Sequence, residues 1–547
     1  MTVALHAERR SGEDETATFM ASGNASDDAP ENASDIDRRS RDGRNHLRVS
    51  AVVAVMRANS ILRSMLVAAS ISCLVALGAI AEEGSYAPPP PPTDASKFGR
   101  NYQRTMTLLA TSTPERRHKV KILFYGQSIA AGTWWKQVAA DLHTRFPHAD
   151  LEVENRAIGG FSVRKLYRVA EHDVHPYYPD LMIFHAYGSD RVYEDLIAEI
   201  RRRTATEIAI WTDHLGAREK PGIFGSFRDR GWPRYMAGFL RAVASEYDLG
   251  FIEIREPWKR YVLENDLDAQ ALLLDDIHLN DQGGALIARL IERELVYRPD
   301  LGLGPSSGLV AEYEIGSDVK WTGGRLELAF EGNRVDLIPE AVAGPRGSVE
   351  IRIDGKRPSE YPGVYAHMRP SQGYPKHGPG ILRVGFDEQL LVEDWLVRVT
   401  HVDDASGTFR FEVIGSKTGH DGVGVSDEDF RSTSGRVVIR AHVRPRGLDV
   451  QSDWRMSGEI PVGYEIRWST IGLFLDRYTP PVVSDTTRDH AATVAQGFPN
   501  GNHTLTLSAE GEARPAIRAI RVYRPPVARG RPNPSRSVAT QAPGQMP

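Results

Sequence analysis

The chain has 547 residues, 41% of them hydrophobic and 25% charged, with a formal net charge of −5. That length predicts two folded domains plus tails. The near-neutral balance, with no basic face or stripe, argues against a nucleic-acid partner, and the single cysteine, Cys73, excludes an intramolecular disulfide framework.

Residues 1–55 are rich in Ser, Asp, Glu, Arg, Ala and Asn and poor in large apolar side chains. Such a segment cannot bury enough surface to offset its ordering entropy, so it reads as a disordered or mis-annotated extension, with Met56 as the true start. Residues 56–81 carry Arg57 and Arg63, then a charge-free run from Met65 ending in Ala79-Ile80-Ala81. A basic start, an apolar middle and a small-residue cleavage site predict a secretory signal peptide. An uncleaved anchor is the alternative, although the run is short against the roughly 20 residues of a membrane span. Either way the protein is expected outside the cytoplasm, and any membrane contact would run through this segment. Residues 82–99 include Pro88 to Pro92 and read as a stiff extended linker.

Residues 100–300 alternate short apolar runs with helical spacings. Strands are predicted at 120–125, 151–155, 181–185, 207–211 and 250–254. Helices are predicted at 134–146, 163–172, 193–202, 235–247 and 281–295. This alternation implies a parallel sheet covered on both faces, an α/β domain of flavodoxin-like type. Ligands of such sheets bind beyond the carboxyl ends of the strands.

The segments after the strands are therefore the candidate site. After the first strand comes Gly126-Gln127-Ser128, with Gly132 following. A serine on a tight glycine-flanked turn is either an exposed nucleophile or the cap of the next helix. After the second come Gly159 and Gly160, which either present an N–H to an oxyanion or make an ordinary turn. After the third comes Tyr187-Gly188-Ser189-Asp190, a candidate substrate contact or a helix cap. After the fourth, His214 is a substrate-contact candidate or a solvated loop residue. Ahead of the last helix stands Asp275-Asp276-Ile277-His278. Asp275 can hold one imidazole nitrogen of His278 and leave the other for a serine hydroxyl.

In this order the blocks resemble the SGNH (GDSL-like) hydrolase superfamily over residues 118–298. The nucleophile block appears as Gly126-Gln127-Ser128, the second as Asn155-x-Ala157-x-x-Gly160, and the last as Asp275-x-x-His278. The resemblance implies a catalytic Ser128, Asp275 and His278, an oxyanion hole using the N–H groups of Ser128 and Gly160, and no metal or cofactor. The third block departs from the family pattern: Ser189 stands where an Asn side chain usually donates to the oxyanion. Tyr187, Asp190 and His214 are the candidate substrate-binding residues.

Past Pro305 the pattern becomes all-β. Short strands at 325–330, 348–354, 395–400, 407–414, 436–440 and 503–507 are separated by Gly, Pro, Asp and Asn. The simplest prediction for 305–526 is a β-sandwich or jelly roll, with two packed subdomains as the alternative. Gly415 to Gly424 reads as a long loop, Ala519 to Tyr523 as a closing strand, and 527–547 as a disordered tail. The closing phrases resemble jelly-roll modules attached to carbohydrate esterases. Together these features imply an exported O-acyl esterase, O-acetyl above all, acting on carbohydrate; Trp134, Trp135, Tyr187 and Trp211 are expected near its site or in the core. A lipid or aryl esterase and a non-catalytic glycan-binding protein are the alternatives.

Overall fold

The computed structural model describes residues 86–219, 232–342, 346–368, 380–441, 452–455, 459–511 and 513–526. The signal-like segment, the N-terminal extension and the C-terminal tail lie outside them. No helix among the described residues is long and apolar enough to cross a membrane.

The first half is built on five strands: β1 (Lys119–Gly126), β2 (Asp150–Asn155), β3 (Leu181–His185), β4 (Glu207–Trp211) and β5 (Gly250–Ile252). They form one parallel sheet in the order β2-β1-β3-β4-β5. Successive side chains of a strand face opposite sides, and here both sides are buried. Val120, Ile122 and Phe124 of β1 join one apolar cluster, whereas Leu123 and Tyr125 join the other. The first cluster is closed by α1 (Gln103–Ala110), α2 (Trp135–Arg145), α6 (Arg255–Glu264) and α7 (Asp281–Glu292). The second is closed by α3 (Val163–Asp173), α4 (Asp190–Arg203) and α5 (Trp232–Glu246). Helices α1 and α6 were not among the sequence expectations.

The proline run is extended, as its composition predicts, but it is not a free spacer. Arg289 Nη1 donates to Tyr86 O at 3.2 Å, Arg293 Nη1 to Pro90 O at 2.9 Å and Arg260 Nη1 to Pro91 O at 2.8 Å. Proline offers a carbonyl and no N–H, so this strap is held through its acceptors by arginines of α6, of α7 and of the α7 C-cap.

The second half is antiparallel. Its strands are β6 (Val310–Glu314), β7 (Arg325–Pro339), β8 (Ser348–Ile353), β9 (Tyr365–Met368), β10 (Gly380–Ile381), β11 (Glu393–Asp403), β12 (Thr408–Gly415), β13 (Gly419–Val425), β14 (Phe430–Arg431), β15 (Val438–Ile439), β16 (Trp454–Arg455), β17 (Glu465–Gly472), β18 (Arg477–Tyr478), β19 (Ala492–Glu510) and β20 (Ile517–Tyr523). A six-stranded sheet runs β18-β8-β19-β7-β20-β6, and a five-stranded sheet runs β13-β12-β11-β17-β9. Each sheet has its own apolar cluster, one around Leu337, Ile351 and Leu505 and the other around Trp395, Val397 and Phe411. The expected loop at 415–424 is instead the turn into edge strand β13. There a Cβ on Gly424 would lie 2.5 Å from the Phe411 ring, so the glycine makes room for aromatic packing.

The β-rich half grips the α/β half at α3 and α4. Asn333 Nδ2 donates to Arg203 O at 2.9 Å, and Gln496 Nε2 to His175 O at 3.0 Å. A buried ion pair joins Arg168 of α3 to Asp453 at 3.3 Å, and Leu382 is buried in the α3–α4 cluster.

Candidate active site

Gly126 ends β1 opposite His185 of β3. Its φ is +153°, and a Cβ there would stand 2.2 Å from the His185 carbonyl oxygen. Only glycine lets the two strand ends approach this closely before the chain turns. Residues 127–131 make that turn, with Ala131 N donating to Gln127 O at 2.9 Å. Helix α2 begins only at Trp135, so Ser128 does not cap it. The Ser128 side chain is half-buried and free to face outward.

Opposite it lies a short hairpin closed by the Leu273–Leu279 bridge and by Leu274 N donating to His278 O at 2.7 Å. Asp275 Oδ1 accepts the backbone N–H groups of His278 at 2.8 Å and Ile277 at 2.9 Å. Asp275 Oδ2 stands 2.7 Å from His278 Nδ1, and His278 Nε2 stands 2.9 Å from Ser128 Oγ. With the proton on Nδ1, Nε2 accepts from the serine hydroxyl. The N–H groups of His278 and Ile277 hold the Asp275 carboxyl down at about 2, because hydrogen bonds to the charged form favour it. Asp275 is therefore an anion throughout the neutral range, although its side chain is 53% exposed and that of His278 41%.

The second loop is tied to the first. Ile158 N donates to Gly126 O at 2.9 Å, and the Asn155 amide donates to Ala130 O at 2.7 Å. Gly159 then lies against Ser128, with its Cβ position 3.8 Å from Ser128 Cβ. Gly160 turns with φ +72° into open space. In the third loop Tyr187 N meets Gln127 Oε1 at 3.4 Å, which brings this loop beside the Ser128 turn. Ser189 is the N-cap of α4, but its side chain makes no capping bond, so its hydroxyl is not committed to the helix. Asp190 opens that helix, where a carboxylate is favoured by the helix dipole. Tyr187 is half-buried, its ring edge on His185 at 4.9 Å.

His214 is corrected. It is 3% exposed, so it is no substrate contact. Its Nε2 donates to Ile277 O at 2.8 Å, directly behind the Asp275–His278 turn. Burial first, with help from the charge of Arg255, lowers its pKa to about 4 and keeps it neutral near pH 7. Arg255 holds the same segment, donating to His214 O at 2.6 Å and to Glu219 at 2.6 Å. Ala217 N adds a bond to Asp276 O at 2.8 Å. The loop after β4 is thus a brace for the histidine turn. Asn155 opens the second block named above; His185, Arg255 and the bracing role of His214 carry no local motif that would have marked them.

Trp134 and Trp211 belong to the core, 6% and 0% exposed, and pack edge-to-face at 5.9 Å. Trp135 is half-buried against Phe124. Trp134 is tied to the Ser128 turn by its Nε1, which donates to Ile129 O at 2.8 Å. The apolar side chains at its rim are Leu274, 74% exposed, and Ile277, 44% exposed.

No family model matches the chain, and no curated protein sequence matches it. Solved structures do. An acetyl xylan esterase is 22% identical, over 32% of this chain and 100% of its own, with a TM-score of 0.29. A two-domain esterase active on acetylated mannans is 13% identical, over 79% of this chain and 98% of its own, with a TM-score of 0.31. An acetylxylan esterase from Geobacillus stearothermophilus is 20% identical, over 34% and 97%, with a TM-score of 0.28.

Proposed function

We propose that the chain is an exported serine esterase that removes O-acyl groups, O-acetyl above all, from carbohydrate. One observation carries the reading: His278 bridges Ser128 Oγ at 2.9 Å and Asp275 Oδ2 at 2.7 Å. In this reading Ser128 attacks the ester carbonyl while His278 Nε2 takes its proton. Asp275 holds the imidazolium, and the tetrahedral oxyanion is met by the N–H groups of Ser128 and Gly160 and by the Ser189 hydroxyl. His278 then protonates the leaving alcohol. Water, activated by the same imidazole, hydrolyses the acyl-enzyme. Export rests on the Met65–Ala81 run and its Ala-Ile-Ala end. Tyr187 and Asp190, in the loop beside Ser128, are the proposed substrate contacts.

The exposed Leu274 and Ile277 favour a second reading, an aryl or lipid ester substrate whose apolar part lies on that rim. Hydrolysis of aryl acetate and aryl octanoate by the full chain, wild type beside Ser128→Ala, separates the two. Activity lost with Ser128 and strongest on acetate supports the deacetylase. A preference for octanoate supports the second reading. A folded wild type inactive on both overturns the esterase reading.

A further inference from the structure

A cleft of about 410 Å³ lies where the two halves meet, at the end of the parallel sheet away from Ser128. Lys121 of β1, Arg104 of α1 and Asp180 line it from one half, and Arg334 of β7 with Arg521 and Tyr523 of β20 from the other. That volume is in the range of small-molecule sites. Lys121 stands five residues before Gly126 on β1, which at about 3.3 Å per residue is about 16 Å. The cleft is therefore separate from the Ser128 turn.

Three of its side chains hold donors that the fold does not use. The Arg334 guanidinium is fixed 4.7 Å from the Tyr178 ring centroid and 4.4 Å from that of Tyr523. Its Nε and Nη2 donate to buried Asp336 at 2.9 and 2.8 Å, and Nη1 makes no bond. The Tyr523 hydroxyl makes none either. Lys121 Nζ donates to Tyr177 O at 2.7 Å, pairs with no carboxylate among the described residues, and keeps two of its three N–H groups. Burial holds the Lys121 amine down at about 8, and the nearby charge of Arg334 adds to the effect.

Along the wall basic side chains outnumber acidic ones six to four. Each of the four carboxylates is already taken: Asp180 by Arg104 at 2.9 Å, Asp336 by Arg334 at 2.8 Å, and Glu312 and Asp489 by Arg521 at 2.8 and 2.6 Å. The surplus is thus of donors and of positive charge. An uncharged polyol brings donors as well as acceptors, whereas an oxyanion brings acceptors alone and gains charge-assisted hydrogen bonds.

We infer that this cleft is a second ligand site, taking a small carboxylate or phosphate ligand held by Arg334 Nη1, the Tyr523 hydroxyl and Lys121 Nζ. Lys121 belongs to the α/β half and the other two to the β-rich half, so the ligand ties the halves together. The site does not rest on the esterase reading.

Calorimetric titration of the full chain with inorganic phosphate and with citrate tests it, with glucose as the uncharged control. Binding of an anion and not of glucose is expected, weaker as salt is raised, and the comparison of phosphate with citrate tells which oxyanion is preferred. Lys121→Met and Tyr523→Phe keep the stem and the ring, and each should weaken binding about tenfold, as for a hydrogen bond to a charged group. Lys320→Met removes the same charge from an exposed position and should bind like wild type, as should Ser128→Ala. Thermal unfolding checks that each variant folds, and either cleft variant alone is enough for the comparison. A ligand that bridges the halves should also raise the wild-type melting temperature. No binding of either anion, glucose bound as tightly, or equal binding by wild type and both cleft variants overturns the site and leaves the esterase reading standing.

Discussion

Asp275→Asn isolates the role of one oxygen. Asp275 Oδ1 accepts two backbone N–H groups, from Ile277 and His278, and Oδ2 faces His278 Nδ1 at 2.7 Å. An asparagine keeps the two backbone bonds only with its carbonyl at Oδ1. Its NH2 must then face Nδ1, where it can donate but not accept. The imidazole proton moves to Nε2, which turns a donor toward Ser128 Oγ, and the base is blocked. Where the carboxylate of such a triad is buried, this change costs about 10⁴ in turnover. Asp275 is 53% exposed, so water can offer Nδ1–H another acceptor. The expected loss is correspondingly smaller, about 10²–10³-fold, or about 3–4 kcal/mol in the barrier. The assay is kcat on an aryl acetate, with thermal unfolding as the control for the fold. Asp276→Asn serves as comparison, because that carboxylate pairs with exposed Arg218 and not with His278. It should stay within about threefold of wild type. An Asp275→Asn enzyme that unfolds like wild type and retains more than a third of its kcat would refute the orienting role.

Removing the brace donor with His214→Leu should lower kcat about 10–100-fold, because small misplacements of a catalytic group are costly, while His214→Gln restores an N–H and most of the rate; equal losses in both would mean the site needs the ring and not the bond. Ser189→Ala should lower kcat by about 10² if its hydroxyl serves the oxyanion, and an unchanged kcat would assign that donor elsewhere. Gly126→Ala drives a methyl into the His185 carbonyl and should cost at least about 2 kcal/mol in unfolding free energy; a melting temperature within a degree of wild type would contradict the geometry. Glu294 is 5% exposed, and burial raises its carboxyl pKa to about 8. Its folded pKa lies above the unfolded value, so both states are protonated below about 4.5, and stability is lost as pH rises from there to about 8, where only the unfolded state ionises freely. Glu294→Gln should accordingly raise the melting temperature at pH 8 and leave it nearly unchanged at pH 4.5.

What the sequence disclosed follows from how locally each feature is encoded. The five parallel strands were legible because each is a short apolar run ended by glycine or polar residues. Asp275 and His278 stood out because they lie three positions apart, close enough to share one turn. The long strands β7 and β19 were seen only in part. Register shifts between Thr493 and Ala495 and between Gln496 and Gly501 break the two-residue alternation in β19. Beyond Gly332, β7 is covered on both faces, so its period vanishes. Helix α6 carries Pro257 in its first turn, where proline is tolerated but reads as a break. His214 was misjudged because loop position implies exposure on average. Its burial depends on Ile277, Trp258 and Arg255, which lie 41–63 residues away in sequence. Arg455 is the extreme case. It stands almost 300 positions from Gly160, on a two-residue strand with no periodicity, and only the docking of Asp453 on Arg168 brings it to Phe161. Residues that perform a reaction must be adjacent to one another and are therefore often written close together, whereas residues that choose the substrate can be supplied by any surface that folds against the site. That asymmetry is why the reaction proposed for this chain could be argued from a few short motifs, whereas a contact supplied by the antiparallel half could not.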